Sequence, residues 1–287
     1  MNNDLTFSEA REKFIGFLKS NKRAAATILA YGKDIEQLSS FLSAQGKEHL
    51  LQATQEDLEA FLKSLQKNNY TLKSVSRKLN SLKTFYRFLR ESNLVNEDSS
   101  LRIAHPKYEV KPPRILSRME YRALRDACRD DIRISAVVEL LLQTGMRIGE
   151  LANLELDDLK NEEIYIKAYE SHQARTVPLN KAAKQALDRY LGERVKTGSK
   201  ALFVTKTGRP LLIRNIRTAI DRYFRLGGIK DAKVNDLRHT FIAQHLIAGT
   251  PLTTISKLVG HKRLSTTEKY LELVKDKGEE NVKLEEL

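Results

Sequence analysis

Four side chains stand in short C-terminal segments where a packed core does not need them. TGMRIGEL (144–151) carries Arg147, VNDLRHTFI (234–242) carries Arg238, LVGHKRLS (258–265) carries His261 and STTEKYLELV (265–274) carries Tyr270. A guanidinium offers planar, bidentate hydrogen bonds and a charge that does not titrate away, so two of them suit an oxyanion such as a phosphate. An imidazole moves protons near neutral pH, and a phenol can serve as a nucleophile that forms a covalent intermediate. Singly, each has a plain structural reading: Arg147 as a surface ion pair, His261 as a cation at a helix end, Tyr270 as a half-buried aromatic.

The residues around each side chain predict how it is held. Gly145 suits the end of a helix. Arg147 then opens a short helix with Glu150 at i+3, where the carboxylate can steady the guanidinium. Arg238 lies inside a run of helix-forming apolar residues, so its charge must point at a partner. Asn235, three residues upstream, reads either as the N-cap of that helix or as a member of the same polar site. His239 faces elsewhere on the helix and reads as structural. In GTPLTTISKLVGHKRLS (249–265), Thr250 is the predicted cap, Pro251 the first helical residue and Gly260 the stop, with His261 directly after. Ser265 and Glu268 have capping-box spacing, which predicts Tyr270 in the second turn of the last helix.

Helical periodicity covers most of the chain. Helices are predicted near 6–20, 24–45, 54–68 and 71–92, and again near 117–129, 132–143, 147–153 and 180–195. Pro106, Pro112 and Pro113 fall in IAHPKYEVKPPRI (103–115), which reads as an extended linker. The predicted division is a helical domain over 1–103, a linker over 104–115 and a second domain over 116–287 that ends in a tail helix. EEIYIKAYESHQARTVPLN (162–180) alternates, turns at ESHQ and returns, and ALFVT (201–205) reads as a third short strand. The expected fold class is mainly α with a small antiparallel β-sheet: an all-α N-terminal domain followed by an α+β domain.

The segment TLKSVSRKLNSLKTFYRFLR (71–90) places Leu72, Val75, Leu79, Leu82, Tyr86 and Leu89 on one apolar face. It carries basic residues and no acidic ones, and Lys73, Arg77 and Arg87 project roughly opposite that face. Such a helix can lie against phosphates; the other reading is a solvated charged face, which usually mixes in acids. The whole chain of 287 residues has a formal net charge of +13, which points to a polyanionic partner, nucleic acid first. A single cysteine, Cys128, excludes an internal disulfide and a multi-cysteine metal site and fits a reducing compartment. No apolar run approaches the roughly 18–20 residues of a membrane span, and the polar start does not read as a signal peptide, so an intracellular, cytoplasmic protein is expected. Zinc-finger spacing, a Walker A loop and G-x-G-x-x-G are all missing from the sequence.

In this order and spacing, TGMRIGEL, DLRHTF and LVGHKRLSTTEKY resemble the tyrosine recombinase (integrase) family, at a Xer-like, two-domain length that covers the whole chain. The Gly-His pair and the nine-residue step from His261 to Tyr270 are characteristic. The resemblance implies a SAM-like helical core-binding domain, a linker and a catalytic domain. It implies a site-specific recombinase that cleaves and rejoins DNA through a 3′-phosphotyrosyl intermediate, in integration, excision or resolution. No metal, ATP or other cofactor is implied. Tyr270 would be the nucleophile, Arg147 and Arg238 would stabilise charge growing on the non-bridging oxygens, and His261 would donate to the scissile phosphate. The implied partners are double-stranded DNA with inverted core half-sites and further copies of the chain, two on a site and four in a synapse, with accessory proteins as an option. No membrane is involved, and the expected location is the nucleoid. The tail after Tyr270 has apolar residues at helical spacing and would dock on a neighbouring protomer or fold back in cis.

Two positions depart from the family pattern. Asn235 stands where the family has a histidine; an amide donates a hydrogen bond but carries no proton charge, at about 1–3 kcal/mol of transition-state binding. Glu170 stands where the family has a lysine in the hairpin turn that protonates the leaving 5′-oxygen. Lys167, three residues earlier and on the opposite strand face unless a bulge intervenes, and His172 in the turn are the candidate replacements. The departures keep a second reading open, a catalytically weakened DNA-binding accessory protein of the same fold. A type IB topoisomerase is a third; the separate helical domain and the Gly-His pair favour a recombinase.

Overall fold

Apolar residues three and four apart dictate the helices of the first unit. The computed structural model describes residues 5–49, 52–160, 162–170 and 172–278, and the chain divides into two units, Met1–Val110 and Lys111–Leu287. The first contains α1 (Phe7–Ser20), α2 (Ala25–Ser43), α3 (Gln55–Lys67) and α4 (Leu72–Glu91). Thr6 caps α1 through a reciprocal box with Glu9, and Thr54 caps α3 the same way with Asp57, each satisfying amide donors that the helix leaves orphaned. Aromatic rings fill the space between them; Phe14 meets Phe85 edge-on at 5.2 Å.

The buried face of α4 is wider than the spacing predicts. Phe85 and Phe88 join it, whereas Leu72, the first helical residue, is 40% exposed. Lys73 and Arg87 are exposed on the other side. Arg77 is exposed too, but its guanidinium grips the Asp34 carboxylate of α2 at 2.7 and 2.8 Å. The Lys78 ammonium is buried against the same carboxylate. The acid missing from α4 is thus supplied by another helix, which the local sequence could not reveal.

The second unit begins within the proline-rich stretch, at Lys111. Its elements are α5 (Arg118–Ala127), α6 (Ile132–Thr144), α7 (Ile148–Ala152), β1 (Leu159–Lys160), β2 (Glu163–Ile166), β3 (Arg175–Pro178), α8 (Lys181–Glu193), α9 (Ile213–Leu226), α10 (Val234–Ile247), α11 (Leu252–Val259), α12 (Ser265–Glu268) and α13 (Leu271–Gly278). Helix α6 is apolar nearly all round, as a helix buried on every side must be, and it forms the axis of the core. The sheet has the order β1-β2-β3, all antiparallel, with Ile164 opposite Val177; alternation buries Ile164 and Ile166 and leaves Tyr165 outside.

ALFVT is not the third strand. Ala201 and Val204 make only isolated bridges, to Glu155 and Pro210, and the Leu202 carbonyl accepts from the Tyr190 and Arg194 side chains; the third strand is the short β1. Helix α9 is an addition to the expected elements; Ile216, Ile220 and Phe224 have helical spacing and are buried. A smaller apolar cluster of Phe241, Ile242, Ile255, Val259 and Tyr270 joins α10, α11 and the segment after α12. Of the tail, residues 279–287 lie outside the described residues. No described helix is long and apolar enough to cross a membrane.

Candidate active site

Two left-handed glycines set the geometry. Gly145 ends α6 at φ 61°, and a Cβ there would collide with the Phe241 ring. Gly260 ends α11 at φ 65°, and a Cβ there would meet Arg175 Nη1 at 2.9 Å. Each terminus turns its carbonyl oxygens towards the arginines. Arg238 donates to the Gly145 carbonyl and, at 2.7 Å, to the Val259 carbonyl. Arg147 donates to the same Val259 oxygen at 3.4 Å and to the Gly260 carbonyl at 3.2 Å. Residues 91 apart in sequence thereby meet on one helix end, immediately before His261.

The predicted pairing of Arg147 with Glu150 is present. Arg147 is the N-cap of α7, its amide donates to Glu150 Oε2 at 2.8 Å, and its Nη1 donates to Oε1 at 3.0 Å. Arg175 joins this pair without a local signal of its partner. From β3 it forks onto both oxygens of Glu150 at 2.9 and 2.7 Å and donates through Nε to the Leu258 carbonyl at 2.6 Å. Only the need for a partner is local: an arginine beside β-strand residues of a half-buried hairpin needs one, just as Arg238 does on its helix. Burial alone would raise the Glu150 pKa, but the Arg175 hydrogen bonds, the Arg147 amide and both guanidinium charges bring it down to about 2. Arg238 lacks a carboxylate of its own. Burial and the neighbouring Arg147 charge lower its pKa to about 9. Three guanidiniums around one carboxylate leave the site short of negative charge.

His261 follows Gly260, its Nδ1 2.7 Å from the buried Thr267 hydroxyl. Burial first, and then the charges of Arg238, Arg147 and Arg175, lower its pKa to about 3, so the ring is neutral. The segment after it differs from expectation. Leu264, not Ser265, stands before α12, and no capping box forms; α12 is a four-residue turn closed by a Tyr270 amide bond to the Thr267 carbonyl at 3.0 Å. Tyr270 therefore sits in the break between α12 and α13, not in the second turn of a helix. It is 5% exposed, and burial raises its pKa against the opposing Arg238 charge.

His239 is not a bystander. Its Nδ1 lies 2.6 Å from the Tyr270 hydroxyl, because a side chain one residue past Arg238 projects towards the segment that covers this face of α10. Nor is Asn235 the cap of α10. Lys233 takes that position, its amide satisfied by Asp236 at 2.7 Å, and Asn235 is an exposed residue of the first turn. Likewise Pro251 is the cap of α11 and not its first helical residue, and the Thr250 hydroxyl turns to His245.

The hairpin separates the two candidate replacements for its lysine. Glu170 is exposed at φ 51° in the turn. Lys167, just past β2, is exposed and ion-paired with Glu155 and, at 3.3 Å, Asp158; the Glu155 hydrogen bond raises its pKa. It does not join the arginines. His172 lies within their field: burial and then the Arg147 charge lower its pKa. Its Nδ1 is buried without a hydrogen-bond partner among the described residues. No group of three or more metal-ligating side chains exists among the described residues.

Comparison with known proteins places the chain in a family. The model of the phage integrase family matches residues 114–277, and that of the phage integrase N-terminal SAM-like domain matches 12–93. The chain is 31% identical to tyrosine recombinase XerC of Oceanobacillus iheyensis over 92% of each chain. The fold is shared with a lambda integrase dimer bound to a COC′ core site (TM-score 0.77, 17% identity, 91% of this chain and 97% of that one). It is also shared with a lambda integrase tetramer bound to a Holliday junction (TM-score 0.76, 18% identity, 91% and 79%). The chain belongs to the phage integrase family, the tyrosine recombinases.

Proposed function

We propose that the chain is a site-specific DNA recombinase that breaks and rejoins strands through Tyr270. The observation that carries this is the meeting of Arg147 and Arg238 on the Val259–Gly260 carbonyls, in a site where three guanidiniums stand around one carboxylate. A phosphodiester supplies the missing negative charge, and the charge that grows on its oxygens during in-line attack is where two fixed guanidiniums act most strongly. His261, neutral, donates one hydrogen bond to the phosphate. Tyr270 forms the 3′-phosphotyrosyl bond, which conserves the energy of the broken linkage. His172, rather than Lys167, supplies the proton for the leaving 5′-oxygen. Asn235, at the exposed start of α10, contributes at most one neutral hydrogen bond to the DNA.

The first unit grips duplex DNA through Lys73 and Arg87 of α4, while the Arg77 guanidinium is held by Asp34 in the free chain. Two copies occupy inverted half-sites and four form the synapse, as the DNA-bound lambda integrase assemblies suggest. The substrate places the protein at the nucleoid. The weakened accessory reading is kept by one feature, a nucleophile that is buried in the free chain.

The test is covalent attachment. Half-sites are selected from a random-sequence duplex library by binding, then built into a nicked suicide substrate. An SDS-resistant band with the native chain, lost in Tyr270→Phe, is the expected result. Specific binding without a band in the native chain would establish the accessory reading.

A further inference from the structure

The phenol of Tyr270 must lose a proton as it attacks, and the family's histidine position cannot take it here, since Asn235 is an amide. His261 is poorly placed for the task. Its Nδ1 is engaged by Thr267, and its ring lies stacked beside the tyrosine ring, centroids 6.5 Å apart, and not at the hydroxyl. One imidazole nitrogen does touch the reacting oxygen, His239 Nδ1 at 2.6 Å.

We propose that His239 is a further catalytic residue, the base that accepts the phenolic proton of Tyr270. This rests on the recombinase reading above. In the step, Tyr270 Oη forms a bond to phosphorus while the bond from phosphorus to the 5′-oxygen breaks, its electron pair leaving on that oxygen. The phenolic proton passes to His239 Nδ1, and the 5′-oxygen takes a proton from His172 or water. Religation runs the same transfers backwards, so His239 returns its proton to the phenol as the tyrosine leaves.

The surroundings suit a base. Helix α10 fixes the ring next to Arg238, so the group that holds the phosphate and the group that receives the proton are consecutive residues on a rigid element. Burial keeps the imidazole neutral, with Asp236 one turn earlier opposing that effect and the Arg238 charge adding to it. The imidazolium that forms in the step gains Asp236 as its nearest acidic neighbour. For Nδ1 to accept, the ring proton must reside on Nε2.

Two measurements test this. In the first, native chain, His239→Asn and His172→Ala are compared on the selected suicide duplex and on the same duplex with a 5′-bridging phosphorothiolate, whose sulfur leaves without protonation. An asparagine can accept the phenol's hydrogen bond but cannot take its proton. Cleavage by His239→Asn is expected to fall about 10²–10⁴-fold at neutral pH. It should recover as the pH rises towards the phenol's own range, with no rescue by sulfur, whereas sulfur restores His172→Ala. Cleavage within a few-fold of native, or rescue by sulfur, overturns the proposal. A native chain that binds but never attaches overturns the recombinase reading itself, a distinct result. In the second, ¹⁵N NMR of the free native chain reads the His239 tautomer and so does not depend on a variant's folding. A bare Nδ1 is expected; a proton on Nδ1 donating to Tyr270 overturns the proposal.

Discussion

Each unit contains a buried carboxylate that holds two cations, and the difference lies in what is left over. In the first, Asp34 holds Arg77 and Lys78, and the pairing neutralises part of the α4 stripe. In the second, Glu150 holds Arg147 and Arg175 just as tightly, but Arg238 is buried with backbone carbonyls alone. A buried charge is costly unless paired. The first arrangement closes its account with protein groups; the second leaves a buried cation with backbone carbonyls alone, as the proposed phosphate site requires. The contrast does not depend on sequence similarity.

The comparison breaks most visibly at Glu150. Glu150→Gln leaves two guanidiniums around a neutral amide and should cost about 3–5 kcal/mol of stability, read by denaturant unfolding. The pH dependence has a definite sign. The folded pKa, about 2, lies below the ordinary 4.5, so the carboxylate's contribution is full above about pH 4.5 and is lost as pH falls towards 2. The native chain should lose stability through that window and Glu150→Gln should lose less. Equal slopes would mean that the carboxylate is not paired as described.

At Arg238 the stability effect should be small. Arg238→Met removes a buried charge that burial disfavours, but it takes the side-chain donor from the Gly145 carbonyl and leaves the Val259 carbonyl with Arg147 alone, so stability should change little. Covalent attachment should fall about 10²–10³-fold, the usual loss of one transition-state donor. A large stability loss with intact attachment would make Arg238 a structural residue and remove the distinction between the two clusters.

Which parts were legible follows from the same distinction. Local signals told the truth about local things: the apolar spacing of α4, the glycine at the end of α6 and the Arg147–Glu150 step at i+3. Helix caps at Asn235, Thr250 and Ser265 fall one or two residues away from where local spacing puts them, and the larger surprises depend on groups far apart in sequence. Asp34 is 43 residues from Arg77, and Arg175 is 25 from Glu150, so neither pairing is visible in a window. The capping box at Ser265 failed because the helix it was to open is a single tight turn. His239 was misplaced for a related reason. Its direction was judged from α10 alone, while the segment that carries Tyr270 decides what it touches.

Asp34→Asn sharpens the comparison from the other side. It should destabilise the first unit by about 1–3 kcal/mol, since Lys78 is left buried with Gln37 as its remaining partner. It should also free Arg77 for phosphate. Non-specific duplex affinity is then expected to rise, with the slope of log affinity against log salt steeper by about 1. An unchanged slope would show that Arg77 does not reach DNA even when released.

The smallest effect is expected at Lys167. Its ammonium is exposed and tied to Glu155 and Asp158, an arrangement that in water contributes little. Lys167→Ala should therefore leave both melting and covalent attachment near native. His172→Ala, in the same hairpin, should slow attachment by about 10²–10⁴-fold: its Nδ1 has no partner among the described residues, and although burial and the Arg147 charge lower its pKa, a proton that it does take up is readily given to the leaving oxygen. The reverse pattern has a clear structural meaning. Attachment lost in Lys167→Ala and kept in His172→Ala would require the hairpin to rearrange on DNA, freeing the lysine from Glu155 and swinging it past the turn. The acid would then be installed by substrate binding, while the arginine pair is already set in the free chain.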